Sequence, residues 1–170
     1  MDSLPPRVAA PVTWRSTKTY GHEEGLSCCF RQWRATHSHC SLLHGYALSF
    51  RLTFASNELD ERHWCFDFGG LKPIKAWLHE MFDHTLLVAA DDPALAEFQH
   101  LADRGLANLR VLPAVGCEAT ARYAFDHIAC FVEAETDGRV WLDEVEVREH
   151  SGNSAIYAPG SGPGGSRIHP

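Results

Sequence analysis

Long apolar segments are missing from this sequence, and positive charge is scarce. The longest uninterrupted apolar runs, such as Leu86–Ala90, are only a few residues long, whereas a membrane-spanning helix needs about 20 apolar residues. The 15 lysines and arginines are outnumbered by 22 acidic residues, which gives a formal net charge of −7. Because non-specific binding to DNA or RNA depends on neutralising phosphates, this charge balance disfavours a nucleic-acid partner. We therefore expect neither a membrane nor a nucleic acid as a partner.

The sequence also lacks the features of a disulfide-stabilised secreted protein. Its six cysteines are scattered along the chain, at positions 28, 29, 40, 65, 117 and 130. The first residues do not show the basic, apolar and small-residue order of a secretory signal. At 170 residues the chain is long enough to bury a core without covalent cross-links. We therefore expect free thiols in a soluble cytoplasmic protein.

Hydrophobic periodicity is weak at both ends of the chain. Residues 1–13 contain three prolines, and residues 158–170 are rich in glycine, proline and serine. Such segments carry too little apolar surface to offset the entropy of ordering them. We expect flexible arms at residues 1–13 and 158–170, and a single folded domain over residues 14–157.

Between the arms, the hydrophobic pattern changes between the strand period and the helix period. The strongest strand signal is the strict alternation of apolar and polar residues over 47–54. Further strands are predicted at residues 14–20, 26–33, 64–68, 109–112 and 139–149, and helices at residues 71–82, 93–104 and 118–135. This order is typical of the α+β class, with helices packed on one face of a largely antiparallel sheet.

Three histidines and a cysteine are crowded together just before the strongest strand. His37 and His39 are two residues apart, which would place them on the same side of an extended backbone, and His44 follows shortly after Cys40. Three neutral imidazoles that converge form a zinc site with an open fourth position. The spacing therefore predicts a Zn²⁺ site made by His37, His39 and His44, while each histidine alone is equally compatible with a polar loop.

Four segments, taken in order, resemble the 6-pyruvoyl/6-carboxy-tetrahydropterin synthase family. Residues 40–46 are similar to the Cys-x3-His-Gly-His motif of that family, with tyrosine in place of the last histidine. The other three matches are Cys65-Phe-Asp-Phe-Gly-Gly-Leu-Lys72, Phe82-Asp-His84 and Val145-Glu-Val-Arg-Glu149. The resemblance spans about residues 26–157. It implies the tunnelling fold (T-fold), in which a four-stranded antiparallel sheet carries helices on one face and subunits assemble into a homo-oligomer, commonly a hexamer, with sites between them.

The resemblance assigns the metal ligands differently from the spacing. In the family, zinc is held by a histidine at the end of the first strand and by both histidines of His-Gly-His. His44 is therefore the surest ligand, and His37 and His39 are candidate substitutes for the other two. Tyr46 occupies the position of the third ligand, where it either turns a hydroxyl toward the site or packs.

The resemblance also implies roles for five other residues. Cys40 is the general base that works on the substrate side chain, because a thiol among imidazoles can supply a thiolate. His84, oriented by Asp83, passes protons to or from the substrate. Glu149 anchors the pterin by accepting parallel N–H bonds from its amino and ring nitrogens. Glu118 either binds the substrate or favours the positive end of a helix.

The implied substrate is 7,8-dihydroneopterin triphosphate. The spacing from Cys40 to His44 looks like the branch that forms 6-carboxytetrahydropterin with loss of acetaldehyde and triphosphate, in 7-deazaguanine (queuosine-type) biosynthesis. The chain would then be a zinc-dependent carbon–carbon lyase. Two alternatives remain open, a 6-pyruvoyl-tetrahydropterin synthase and a non-catalytic pterin-binding protein. Arg31, Arg34 and Arg51 flank the motif and are candidates for binding the triphosphate.

Overall fold

The structure, a computed structural model, describes residues 12–160. These residues form seven strands: β1 (Trp14–Tyr20), β2 (Leu26–Phe30), β3 (His44–Ser56), β4 (Thr85–Ala89), β5 (Leu109–Leu112), β6 (Val140–His150) and β7 (Asn153–Tyr157). The same residues form three α-helices: α1 (Lys72–Phe82), α2 (Leu95–Asp103) and α3 (Cys117–Glu135). The flexible arms predicted at 1–13 and 158–170 fall almost entirely outside the described residues.

Strand β3 is the centre of the sheet. Along one edge it pairs antiparallel with β2 over residues 44–48 and with β1 over residues 50–56, and along the other edge it pairs antiparallel with β6. β7 continues antiparallel from β6, whereas β4 and β5 extend the sheet from β2 as parallel strands. The alternating apolar residues of β3 are at most 1% exposed, so the sequence pattern at 47–54 does mark the core face of a strand.

Helices α1 and α3 cover the core face of this sheet. The buried residues of α1 are Ile74, Leu78 and Phe82, spaced four apart along one stripe, and Phe82 contacts Phe50 of β3 with ring centroids 5.0 Å apart. α3 lies against β6 and β7. Over residues 12–160, no helix combines the length and the hydropathy that a membrane span requires.

The α+β class is confirmed, but the sheet is larger than expected and mixed. It has seven strands over the described residues, of which β4 and β5 are parallel to β2. Successive residues of β4 also face opposite sides: Leu87 joins the main core, whereas Leu86 and Val88 pack with Phe98 of α2. Helices α1 and α3 therefore share one face as predicted, and α2 covers the opposite one.

The strand predicted at 64–68 is wrong, because this segment turns into the start of α1. The Asp67 side chain accepts a hydrogen bond from Gly69 N–H at 2.8 Å, which closes a 3₁₀ turn over Phe68–Leu71. Asp67 therefore orders the turn that leads into the helix.

Candidate active site

The end of β2 and the start of β3 present three rings on one face of the sheet. Phe30 is the register partner of His44, and Tyr46 lies two residues farther along the same face. The ring centroids of Phe30 and His44 are 5.3 Å apart, and those of His44 and Tyr46 are 5.4 Å apart. We call Phe30, His44 and Tyr46 the ring cluster.

His44 is held in a defined orientation within this cluster. Its Nδ1 lies 2.7 Å from the carbonyl oxygen of Leu42, so Nδ1–H donates to that carbonyl and the lone pair is on Nε2. Between the paired strands, Gly45 lets the backbones approach closely, because a Cβ at this position would lie 3.0 Å from the carbonyl oxygen of Cys28.

Glu149 lies beside the ring cluster, near the end of β6. Val145 and Val147 face the core, and Glu149 follows them at the same two-residue spacing. The pairing of β6 with β7 shifts register between Arg148 and His150, and such a bulge re-aims the side chain that it contains. The Glu149 carboxylate is thereby directed toward Tyr46 and toward the first turn of α3, where its charge acts on the Cys117 thiol.

Burial and negative charge act together on the groups around Glu149. Burial, and then the charge of Glu149, raise the pKa of the Cys117 thiol to about 12. Burial raises the pKa of Tyr46 as well, with further contributions from Glu149 and Cys40. Cys40, Tyr46, Cys117 and Glu149 therefore occupy one electrostatic neighbourhood, which we call the Glu149 cluster.

Cys40 is brought to this cluster by a 3₁₀ turn over His39–Ser41. The Ser38 hydroxyl accepts a hydrogen bond from Cys40 N–H at 3.2 Å. The carbonyl oxygen of Cys40 accepts one from Gln32 N–H at 2.7 Å, which ties the turn to the chain just after β2. Cys40 is half-buried and its thiol is free, as a nucleophile or base requires.

Asp83 and His84 form a hydrogen-bonded pair just after α1. His84 has a φ of 54°, a left-handed conformation that is uncommon for a residue other than glycine and is often found at functional sites. Its Nδ1 is 2.5 Å from Asp83 Oδ1, and the side chain is 88% exposed. The hydrogen bond from His84, and then that from His79, lower the pKa of Asp83.

Over residues 12–160, the Asp83–His84 pair shares no hydrogen bond or ion pair with the Glu149 cluster, and its bonds are within the pair and to His79 of α1. His84 lines a cavity of about 470 Å³ together with Cys29, Gly45 and Leu86, and no residue of the Glu149 cluster lines this cavity. The structure therefore brings Cys40 and Glu149 together and leaves His84 apart from them in a single protomer.

Glu118 is exposed on the first turn of α3, after Gly116 with a φ of 108°. It lines a cavity of about 600 Å³ with Arg122 and Tyr157. Its charge contributes to the raised pKa of Cys117. The position at the N-terminal end of a helix fits the electrostatic role predicted for Glu118.

The three histidines predicted to bind zinc do not gather into a site. His37 and His39 are exposed and lie in consecutive turns, so they are not part of the strand assumed from their spacing. Over residues 12–160, no group of three histidine, cysteine, aspartate or glutamate side chains is arranged to hold a metal ion. The neighbours of His44 on its own face are Phe30 and Tyr46, and neither supplies a nitrogen or sulfur ligand. The residues present do not fit the predicted zinc ion.

Two of the three arginines considered for a triphosphate are already paired with acidic residues. Arg31 makes a bidentate bond to Asp92, with Nε 2.9 Å and Nη2 2.6 Å from the carboxylate oxygens. Arg34 pairs with Asp91 at 2.6 Å. Arg51 is exposed on β3 and stays a candidate.

Two residues of the site were not found by sequence reasoning. Phe30 is the last apolar residue of its strand, and its place beside His44 depends on the pairing of β2 with β3. Cys117 immediately precedes the helix predicted at 118–135, but its closeness to Glu149 depends on where β6 ends relative to α3.

Comparison with known sequences points to one family. Residues 20–160 match the family described as 6-pyruvoyl tetrahydropterin synthase. A 6-carboxy-5,6,7,8-tetrahydropterin synthase of Aquifex aeolicus is 26% identical over 148 residues, which cover 85% of this chain and 88% of that protein. A protein of the same name from Rickettsia felis is 34% identical over 59 residues, which cover 34% of this chain and 43% of that protein. The match with the Rickettsia felis protein thus extends over less than half of its length.

Solved structures share the fold. An uncharacterized protein of Wolinella succinogenes superimposes with a TM-score of 0.72 at 18% identity, covering 86% of this chain and 98% of that one. A catalytic-residue mutant of the Plasmodium vivax 6-pyruvoyltetrahydropterin synthase gives a TM-score of 0.63 at 14% identity, covering 86% and 97%. These similarities confirm the predicted T-fold.

Proposed function

Because the chain belongs to the 6-pyruvoyl tetrahydropterin synthase family, we propose that it is a pterin lyase of the 6-carboxytetrahydropterin synthase type. The names of the Aquifex aeolicus and Rickettsia felis relatives support this branch. The proposed substrate is 7,8-dihydroneopterin triphosphate. It would be converted, with consumption of water, to 6-carboxytetrahydropterin, acetaldehyde and triphosphate, as a step toward 7-deazaguanine (queuosine-type) compounds.

The observation that carries this proposal is the position of Glu149. Its carboxylate is half-buried at the end of β6, beside the rings of β3 and the first turn of α3. A carboxylate in such a place can accept two parallel N–H bonds from a planar, guanidine-like edge. The amino group and ring N–H of a pterin form an edge of this kind, so Glu149 would fix the orientation of the heterocycle.

Cys40 is the proposed base for the substrate side chain. It shares the Glu149 cluster, so a heterocycle bound at Glu149 would bring its substituent near the thiol. A thiolate at this position would abstract a proton from the side chain and begin the loss of triphosphate. Glu118, on the first turn of α3, would act mainly through its charge rather than through contact with the heterocycle.

Asp83 and His84 would complete the site from a neighbouring subunit. Among the described residues of one chain, the pair shares neither a hydrogen bond nor a cavity with Cys40, so an assembly of several chains would bring the two groups together. In that assembly, Asp83 would keep the His84 ring oriented while Nε2 gives or takes a proton. The proposed partner is therefore a homo-oligomer with sites between subunits, such as a hexamer.

The resemblance also predicts Zn²⁺, and His44 is the one predicted ligand that lies beside the Glu149 cluster. His37 and His39 are exposed in turns and do not join it. We assign no step to the metal, since the described side chains do not provide a set of ligands for it.

The test is to incubate the protein with 7,8-dihydroneopterin triphosphate and to identify the products by mass spectrometry. A 6-carboxytetrahydropterin product together with acetaldehyde supports the proposal, and a 6-pyruvoyl product would identify the sister activity instead. Glu149→Gln should reduce kcat/KM by about 100-fold or more, because an amide offers a ligand N–H only one acceptor oxygen and loses the charge, a change worth ~3 kcal/mol. Glu133→Gln, on the exposed side of α3, is the matched control and should leave activity unchanged.

A non-catalytic pterin-binding protein is the second candidate function. The ring cluster favours it, because two of its three side chains offer none of the nitrogen or sulfur ligands that a catalytic zinc needs. Binding of neopterin without any product, abolished by Glu149→Gln, would identify this function.

A further inference from the structure

The side chains of the ring cluster determine whether a metal ion can bind there. Phe30 is 1% exposed and lies opposite His44 in the register of β2 and β3. Tyr46 contacts both other rings, with centroids 5.4 Å from His44 and 6.2 Å from Phe30. His150 extends the group, 6.1 Å from Tyr46. The ring cluster itself thus contains a single imidazole, that of His44, and a second imidazole, that of His150, lies beside Tyr46.

This composition is unsuited to a catalytic zinc ion, which takes three nitrogen, sulfur or carboxylate ligands and leaves one position open. A phenyl ring has no donor atom, and Nδ1 of His44 is already bonded to the carbonyl of Leu42. Only Nε2 of His44 is available from the ring cluster. Aromatic faces, by contrast, pack well against flat heterocycles.

We propose that this chain binds its pterin without zinc, and that the rings of His44 and Tyr46, backed by the buried Phe30, pack against the ligand where a metal would otherwise contact the hydroxyls of the substrate side chain. This inference rests on the proposed pterin site at Glu149. It specifies the ligand class: affinity comes from the heterocycle itself, so pterins with and without a hydroxylated substituent at C6 are bound equally well.

The first experiment measures zinc in protein expressed in zinc-supplemented medium, by elemental analysis after gel filtration. The wild-type chain should carry far less than one zinc per subunit. The variant Phe30→His with Tyr46→His places three imidazoles on the same face and should bind about one zinc per subunit. Adding His44→Ala to that variant should remove the metal. A wild-type chain that holds one zinc per subunit, lost in His44→Ala, would overturn the inference.

Because Phe30 is buried, a histidine in its place can lower the stability of the fold. The single variant Tyr46→His avoids this problem, since Tyr46 is half-buried. It should bind zinc more tightly than wild type in a chelator competition, because it provides two imidazoles instead of one. The wild-type stoichiometry decides the inference whether or not the double variant folds.

The second experiment measures the affinity of the wild-type protein for pterin and for neopterin, with and without a chelator. The affinities for the two ligands should differ by less than about threefold, and the chelator should change neither affinity. A tenfold change in Kd corresponds to ~1.4 kcal/mol, so a difference below threefold is too small for a contact between the substituent and a metal ion. A tenfold loss of neopterin affinity on chelation would contradict the inference. If neither ligand binds, the proposed function fails, and the zinc stoichiometry still reports separately on the ring cluster.

Discussion

At the scale of single residues, burial and nearby charge give chemically identical groups different pKa values and different exposure. Six thiols are free in the described structure, and their surroundings differ. Cys117 is buried against Glu149, and burial of Cys28 likewise raises its pKa to about 12. Cys130 is exposed on α3. Reactivity follows the thiolate form and access to it, so these differences can be measured one residue at a time.

We expect iodoacetamide at pH 8 to modify Cys130 rapidly and to leave Cys28 and Cys117 unmodified in the folded protein. With a pKa of about 12, each buried thiol holds about one thiolate per ten thousand molecules at this pH, and reagent access is blocked as well. Peptide mass spectrometry after timed labelling reports each cysteine separately. The unfolded protein in guanidinium is the control, in which all six should react. Labelling of Cys117 as fast as Cys130 would show that α3 does not pack against Glu149 as described.

Some residues of the site could be predicted from sequence motifs, and others could not. Cys40 and Glu149 could be chosen from motifs, and the structure places them in one neighbourhood. The convergence of His37 and His39 could not be judged from spacing, because the two-residue rule applies only to extended backbone. Phe30 could not be chosen at all, since its relation to His44 exists only through strand pairing.

At the scale of elements, the strands and helices with one buried face were the predictable ones. β3, α1 and α3 each show a clean period. The observed bounds of α1 and α3 agree with the predicted ones to within one residue, whereas β3 extends over 44–56 rather than 47–54. β4 was missed because it is buried on both faces and therefore shows no alternation. β7 was missed because it is short, mostly exposed and begins with polar residues after a turn.

An ion pair fixes one junction between these elements. Arg31 follows β2, and Asp92 precedes α2 with a side chain only 1% exposed, whereas that of Arg31 is 25% exposed. The Asp92 carboxylate also accepts a hydrogen bond from Ala94 N–H at 2.8 Å. Asp92 therefore holds the end of β2 to the loop that leads into α2.

We expect Asp92→Asn to lower the free energy of unfolding at pH 7 by about 2–3 kcal/mol, because it leaves the Arg31 charge without its partner. The bond to Arg31 lowers the pKa of Asp92, so the carboxylate stabilises the fold above its unfolded pKa of about 3.9 and loses this effect as the pH falls through the folded value. The difference between variant and wild type should therefore shrink toward pH 3. Urea unfolding at pH 7 and pH 3 measures both numbers.

Asp91→Asn is the matched control for this prediction. Asp91 pairs with Arg34, but both side chains are exposed, at 54% and 72%, and exposed pairs contribute little. Equal destabilisation by the two substitutions would mean that the Arg31–Asp92 pair does not hold the junction.

At the scale of the whole molecule, the sheet leaves edges and faces that a single chain does not use. β7 ends the sheet on one side, with Ile156 57% exposed, and β5 ends it on the other. Exposed strand edges favour pairing with another chain. His84 and Cys40 do not line a common cavity within one chain, so the proposed site gives such an assembly a chemical role, which the order of elements along the sequence could not reveal.

We expect the protein to run as a defined multiple of its 18.9 kDa subunit in gel filtration with light scattering, and its activity to depend on that assembly. The sharper test uses two inactive variants, Cys40→Ala and His84→Ala, expressed together in equal amounts. If each site takes Cys40 from one chain and His84 from another, random mixing leaves about a quarter of the sites intact, so about a quarter of wild-type activity should return.

Cys40→Ala expressed together with Glu149→Gln is the control. Those two residues belong to the cluster of one chain, so every site in the mixed oligomer carries either Cys40→Ala or Glu149→Gln. Activity should therefore stay absent. Recovery in the control but not in the test pair would mean that Glu149, rather than His84, is contributed across the subunit boundary.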